Sequence, residues 1–93
     1  MQVKIYSKSN CSYCKKTKEW FQSHKIPYEE TILDDYQERQ DFYQRVSNGK
    51  QVTSVPQIFI DDKHVGTYTD LMQQEHIILK NKFGGLEESS ITY

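Results

Sequence analysis

In QVKIYS, Val3 and Ile5 alternate with Gln2 and Lys4, and a few residues later the apolar spacing changes to steps of three and four. Period two marks a strand and period 3.6 a helix. A chain that makes this switch within its first dozen residues is committed to layers of strand and helix. The first strand covers QVKIYS, Ser7 to Cys11 is a polar turn, and a helix runs from about Ser12 to Lys25 on Cys14, Thr17, Trp20 with Phe21, and His24. Ile26-Pro27 ends it, because the residue before proline is pushed out of the helical region. Tyr28 to Leu33 reads as a second strand.

Asp35-x-x-Glu38 is the acidic start of a second helix, whose buried side is Tyr36, Phe42 with Tyr43, and Val46, and which Asn48-Gly49 stops. Residues 50 to 56 form a loop. Gln57 to Asp61 (QIFID) is an apolar third strand and His64 to Gly66 a short fourth, joined by a tight turn through Asp61-Asp62-Lys63. Asp70 to Phe83 carries Leu71, Ile78, Leu79 and Phe83, a third helix closed by Gly84-Gly85. The order β-α-β-α-β-β-α makes an α/β domain over residues 1–85, a four-stranded mixed sheet with three helices. Strands separated by a helix are expected parallel and the final hairpin antiparallel. Residues 86–93 have no pattern and are read as a flexible tail.

The chain has 93 residues, one small domain, with a net charge of −1 and both signs interspersed, so no basic field points to nucleic acid. No stretch has the apolar length of a signal peptide or a membrane span. The expected location is the cytosol, where lasting disulfides are rare.

The only cysteines, Cys11 and Cys14, sit in SNCSYCKK at the junction of strand and helix. At a helix entrance, free N–H groups of Tyr13 and Cys14 can point at the Cys11 sulfur, and Lys8 and Lys15 add positive charge. Both effects favour thiolate, the form that attacks disulfides. Cys14, one turn inward, suits a resolving thiol. A structural zinc site needs about four ligands, and His24, His64 and His76 are scattered. A redox C-x-x-C is the leading reading.

Three blocks, KSNCSYCKK, TSVPQIFI and HVGTYTDL, resemble the C-P-Y-C, T-V-P-Q-I-F and H-I-G-G-Y-T-D patterns of glutaredoxins, in their order and spacing. The resemblance is to the small dithiol type and covers roughly residues 2 to 83. It implies a thioredoxin-like fold and a glutathione-dependent thiol–disulfide oxidoreductase, a monomer without a tightly bound cofactor. Cys11 attacks and Cys14 resolves. It implies a cis Val55–Pro56 bond and a glutathione site made of Lys8, Tyr13, Gln40, Ser54, Val55, Pro56, Tyr68, Thr69 and Asp70. The N–H groups of Thr69 and Asp70 take the γ-glutamyl carboxylate, and the Asp70 carboxylate takes the ammonium. Without the resemblance, Thr69 reads as an N-cap and Asp70 as a first-turn acid. Lys8 and Gln40 serve the glycine carboxylate, with Arg39 the alternative to Gln40. Expected partners are glutathione, disulfide-containing or glutathionylated proteins, and ribonucleotide reductase as an electron acceptor.

Two residues depart from the pattern. Ser12 replaces the motif proline, as in some C-S-Y-C glutaredoxins that hold a bridging [2Fe–2S] cluster, so a cluster carrier or sensor ligated through Cys11 is the alternative reading. Thr67 stands where the second glycine of G-G is usual, and its side chain is expected to narrow the γ-glutamyl end or to keep φ negative.

Overall fold

The computed structural model describes residues 1–47 and 51–81. The elements are β1 (Val3–Ser7), α1 (Ser12–Ser23), β2 (Glu29–Ile32), α2 (Tyr36–Val46), β3 (Gln57–Ile60), β4 (Lys63–Gly66) and α3 (Tyr68–Gln73), with helix again over residues 75–81. The strands form one mixed sheet in the order β2-β1-β3-β4. The expected helix stop at Asn48-Gly49, the end of the third helix at Phe83 with Gly84-Gly85, and the boundary at residue 85 lie outside the described residues.

β1 and β2 are parallel, and both the β1–β3 and β3–β4 pairs are antiparallel. β3 therefore runs against β2, contrary to the expectation that a helix between two strands makes them parallel. The chain between α2 and β3 is long enough to return to the end of the sheet where β2 stopped. β3 starts there, with Gln57 opposite Tyr6, one residue from the Ser7–Ile32 pair.

Alternation along β1 divides the core. Val3 and Ile5 meet Ile58 and Ile60 on one face, under Trp20 and Phe21 of α1 and Leu71 of α3. On the other face Tyr6 and Phe59 pack with Phe42 and Tyr43 of α2, Leu33 and Val52. Tyr36, expected on the buried side of α2, is 66% exposed. It is the first helical residue. The Arg39 guanidinium lies 5.9 Å from its ring centre and donates to the Leu33 and Asp34 carbonyls at 2.9 and 3.2 Å, covering the ring from the helix side.

The helix ends are set by local chemistry. Asp35 caps α2 as expected, its carboxylate accepting from Glu38 N at 2.9 Å. α1 ends earlier than the proline predicts. Lys25 has φ +56, Ile26 N donates to Phe21 O at 2.9 Å and Lys25 N to Gln22 O at 3.0 Å. This is a Schellman closure with lysine in the position glycine usually takes. α3 begins at Tyr68, two residues before the expected Asp70, because its N-cap is Thr67. It stops at Gln73 instead of running on to Phe83: Gln74 closes the turn and helix resumes beyond it. The β3–β4 turn places Asp61 and Asp62 at φ +51 and +68, the two positive angles of a type I′ hairpin, which aspartate tolerates.

Candidate active site

β1 delivers the chain to a four-residue loop, Lys8 to Cys11, at the edge of the sheet. Asn10 turns it through φ +57, a conformation asparagine adopts more readily than most residues. Cys11 is then the N-cap of α1, and Cys14 N donates to its sulfur at 3.2 Å. That donor is one of the orphan N–H groups of a helix start. Cys11 and Cys14 are joined in a disulfide, with Cα atoms 5.2 Å apart. Cys14 is 2% exposed, whereas Cys11 is half-buried. Once the bond is reduced, the same N–H and the helix dipole favour a negative charge on Cys11.

The Cys11 loop is held from β2 and the residues after it. Asp34 accepts from Ser9 N at 2.7 Å through one carboxylate oxygen and from Ser9 Oγ at 2.6 Å through the other. The Ser9 hydroxyl, with help from its N–H, keeps the Asp34 carboxyl below the usual carboxylate range. Ser7, buried in β1, donates its hydroxyl to Glu30, which also meets Lys18 Nζ at 3.0 Å. Burial raises the Glu30 pKa, but the Ser7 hydroxyl and the Lys18 ammonium together outweigh it and hold the carboxyl below its ordinary value.

Two clefts flank Cys11. One, about 270 Å³, is lined by Tyr13, Ser54, Val55, Pro56, Tyr68 and Thr69, together with Thr67. Six of the residues expected at a glutathione site are thus brought to one groove. The Val55–Pro56 peptide is cis, Val55 O lies 3.8 Å from Cys11 Sγ, and the Tyr13 and Tyr68 rings are 5.8 Å apart. The other cleft, about 720 Å³, is lined by Lys8, Cys11, Lys15, Lys18, Glu30 and Ile32, among others. Lys8 therefore lines the cleft that Cys11 lines and not the groove.

Asp70 and Gln40 are placed differently. Asp70 Oδ2 accepts from Thr67 N at 2.9 Å and from Thr67 Oγ1 at 3.1 Å, the carboxylate half of a capping box. Thr67 thus fills the N-cap position that the bare sequence gives to Thr69, and at φ −90 its backbone is unstrained. Gly66, at φ +116, lets the Asp70 carboxylate lie against the backbone, where a Cβ would collide with it. Gln40 sits half-buried on α2 and lines neither cleft. Its alternative, Arg39, is committed to the Leu33 and Asp34 carbonyls.

Several supporting residues are not singled out by the sequence. Besides Asp34 and Ser9, Gln57 is 3% exposed and donates through Nε2 to Ser54 O at 2.8 Å. Its Oε1 accepts from His64 Nε2 at 2.6 Å, and the His64 ring stacks on Phe59. This buried amide fixes the loop that carries Val55 and Pro56. The one available signal is a glutamine inside the apolar run QIFI, since a buried polar group needs partners.

No group of three or more His, Cys, Asp or Glu side chains able to hold a metal occurs among the described residues. For a bridging [2Fe–2S] cluster, this chain offers the half-buried Cys11 as a sulfur ligand, the Cys14 sulfur being enclosed. No helix of the described residues is long and apolar enough to cross a membrane.

The glutaredoxin family model matches residues 3–65. Glutaredoxin 1 of Rickettsia typhi is 39% identical over 72 residues, 76% of this chain and 67% of that protein. Glutaredoxin 1 of Escherichia coli is 36% identical over 76 residues, 75% of this chain and 87% of that protein. Among solved structures, glutaredoxin 1 of Francisella tularensis complexed with cacodylate superposes with a TM-score of 0.80 at 41% identity, covering 84% of this chain and 95% of that one. A buckwheat glutaredoxin–glutathione complex superposes at 0.66 with 25% identity, covering 81% and 68%. A sheet of this order, a cysteine pair at the mouth of its first helix and these likenesses agree: the chain belongs to the glutaredoxin family of thiol–disulfide oxidoreductases.

Proposed function

We propose that the chain is a glutathione-dependent reductase of protein disulfides and of protein–glutathione mixed disulfides. The observation that carries this reading is the unequal placement of the two sulfurs. Cys11 opens between the two clefts at a helix N-terminus, and Cys14 is enclosed behind it. In the dithiol route the Cys11 thiolate attacks a substrate sulfur, a Cys11–substrate disulfide forms, and the substrate's second sulfur leaves as thiolate. Cys14 then attacks Cys11, releases the substrate thiolate and leaves the Cys11–Cys14 disulfide. Two glutathione thiols restore the dithiol and become glutathione disulfide. With a mixed disulfide as substrate, Cys11 takes the glutathionyl group and a second glutathione removes it, so Cys14 is dispensable.

The groove of Tyr13, Ser54, Val55, Pro56, Tyr68 and Thr69 is the glutathione site in this reading, with main-chain groups of Val55 pairing to the cysteinyl part like an added strand. Thr69 and Asp70 N–H groups receive the γ-glutamyl carboxylate, and the outer Asp70 oxygen receives its ammonium. Lys8 takes the glycine carboxylate. Gln40 joins it only if its side chain swings off α2. The buckwheat complex supports a glutathione ligand for this fold. The reading includes a cytosolic monomer, with ribonucleotide reductase as one electron acceptor by family analogy.

The test compares Cys11→Ser and Cys14→Ser in a glutathione-coupled assay. Cys11→Ser is expected to lose all activity on both substrate kinds. Cys14→Ser is expected to retain turnover of a small glutathione mixed disulfide and to lose most reduction of protein disulfides. An active Cys11→Ser protein beside a dead Cys14→Ser protein reverses the two roles. Reduction by a thioredoxin reductase system, with none by glutathione, overturns the dependence on glutathione.

A further inference from the structure

The charge of this chain is segregated. Between Met1 and Tyr28 it carries Lys4, Lys8, Lys15, Lys16, Lys18 and Lys25 against Glu19 alone, although the whole chain has 12 basic and 13 acidic side chains. The even mixture suggested by the net charge does not hold around the cysteines.

The fold concentrates part of this excess beside the nucleophile. Lys8, Lys15 and Lys18 line the 720 Å³ cleft that Cys11 shares. Lys18 is paired with Glu30 at 3.0 Å, while Lys8 and Lys15 are exposed. Ile32, on the edge strand β2, is 53% exposed in the same cleft. With Lys8 given to the glycine carboxylate, the cleft offers the Lys15 ammonium and an apolar spot within the space that reaches Cys11.

We infer that this cleft docks the polypeptide half of the substrate and selects segments with acidic side chains next to the disulfide cysteine. The inference rests on the glutathione reading above, which assigns the groove at Val55 and Pro56 to the glutathionyl half. The Cys11 thiolate attacks the glutathione sulfur of a polypeptide–glutathione disulfide. The Cys11–glutathione bond forms and the old S–S bond breaks. Its electron pair leaves on the polypeptide sulfur, which is protonated by solvent. Until that moment the polypeptide is tethered to a group lying in the groove, so its chain must run over the adjoining surface. There Lys15 meets an acidic neighbour, Ile32 takes an apolar one, and the departing thiolate enters a positive field. Glu30 and Ile32 within the cleft disfavour a continuous phosphate backbone as its occupant.

The experiment uses two synthetic peptides, each glutathionylated at one central cysteine, flanked by Asp and Glu in one and by Lys in the other. One exposed ion pair corresponds to roughly a 1.4- to 5-fold preference in kcat/KM for the acidic peptide. The preference is expected to shrink as salt is raised. Lys15→Glu is expected to reduce or invert it, with Lys15→Ala as the milder companion should the first variant fold poorly. Reading the ratio of the two peptides within each variant cancels any change in Cys11 reactivity. A mixed disulfide of glutathione with 2-mercaptoethanol checks the underlying reading separately. No turnover of it means that the glutathione reading fails. Turnover of it with equal kcat/KM for the two peptides overturns the docking surface.

Discussion

Asp34 shows how much of the reactive loop depends on one side chain. Both of its oxygens are used on Ser9, two residues before Cys11. Asp34→Ala should speed amide hydrogen exchange at Ser9 and Asn10, and Ser9→Ala, which keeps the main-chain bond, should do so less. The carboxyl titrates below its ordinary value of 3.8 in the folded chain. The strap therefore contributes fully above that value and is lost as pH falls through the lowered one. The Ser9 amide proton resonance, followed by NMR in acid, should move with a midpoint below 3.8; a midpoint above it contradicts the assignment. Asp70 carries two tasks that separate experimentally. Asp70→Ala should weaken glutathione use about 10- to 150-fold, the loss expected for one charge-assisted contact. It should also destabilise the chain by about 0.5–2 kcal/mol through the lost capping interaction. A lower melting temperature with an unchanged KM for glutathione leaves Asp70 only its structural task.

At the level of elements, the end of α1 invites a stabilising change. Lys25 adopts a left-handed conformation that disfavours a side chain by about 1–2 kcal/mol, and glycine gives back part of that through the unfolded chain. Lys25→Gly should raise stability by about 0.5–1 kcal/mol in urea unfolding. An unchanged or lower midpoint would show that the lysine stem does compensating work. This helix end also shows where the sequence is readable. Pro27 correctly announced a stop, but the closure through Lys25 is a hydrogen-bond pattern that any residue tolerant of positive φ can form. The same limit applies to α3. The pattern of Leu71 and Ile78 locates an apolar stripe, while its start depends on Thr67 meeting Asp70 and its interruption on Gln74.

For the whole molecule, alternation and helical spacing were enough to give the sheet, its helices and the cysteine pair at their junction. The direction of β3 was not readable, because it depends on how far the chain after α2 travels before pairing. The groove residues were legible only through three short blocks taken together; Asp34 acts through a contact distant in sequence, and Gln57 and His64 through side-chain bonds to Ser54 and to each other that no spacing rule marks. Both faces of the sheet depend on few large side chains. Phe21, at 0% exposure, joins α1 to β1, β3 and α3. Phe21→Ala should cost about 3–5 kcal/mol, a large share of the 5–15 typical of a domain. Chemical denaturation should show that loss, with activity falling only in proportion to the folded fraction.

The enclosure of Cys14 gives the closed disulfide a front and a back. An incoming thiolate reaches the bond from the Cys11 side, so Cys14 is always the first sulfur released and the Cys11-linked adduct always the first species formed. Reoxidation retraces the same adduct in reverse order. The enzyme thus has one doorway for electrons in both directions, and whatever occupies it, reductant or client, excludes the other. Turnover must then alternate strictly between the two, and an excess of either should slow the reaction by holding the doorway against its counterpart.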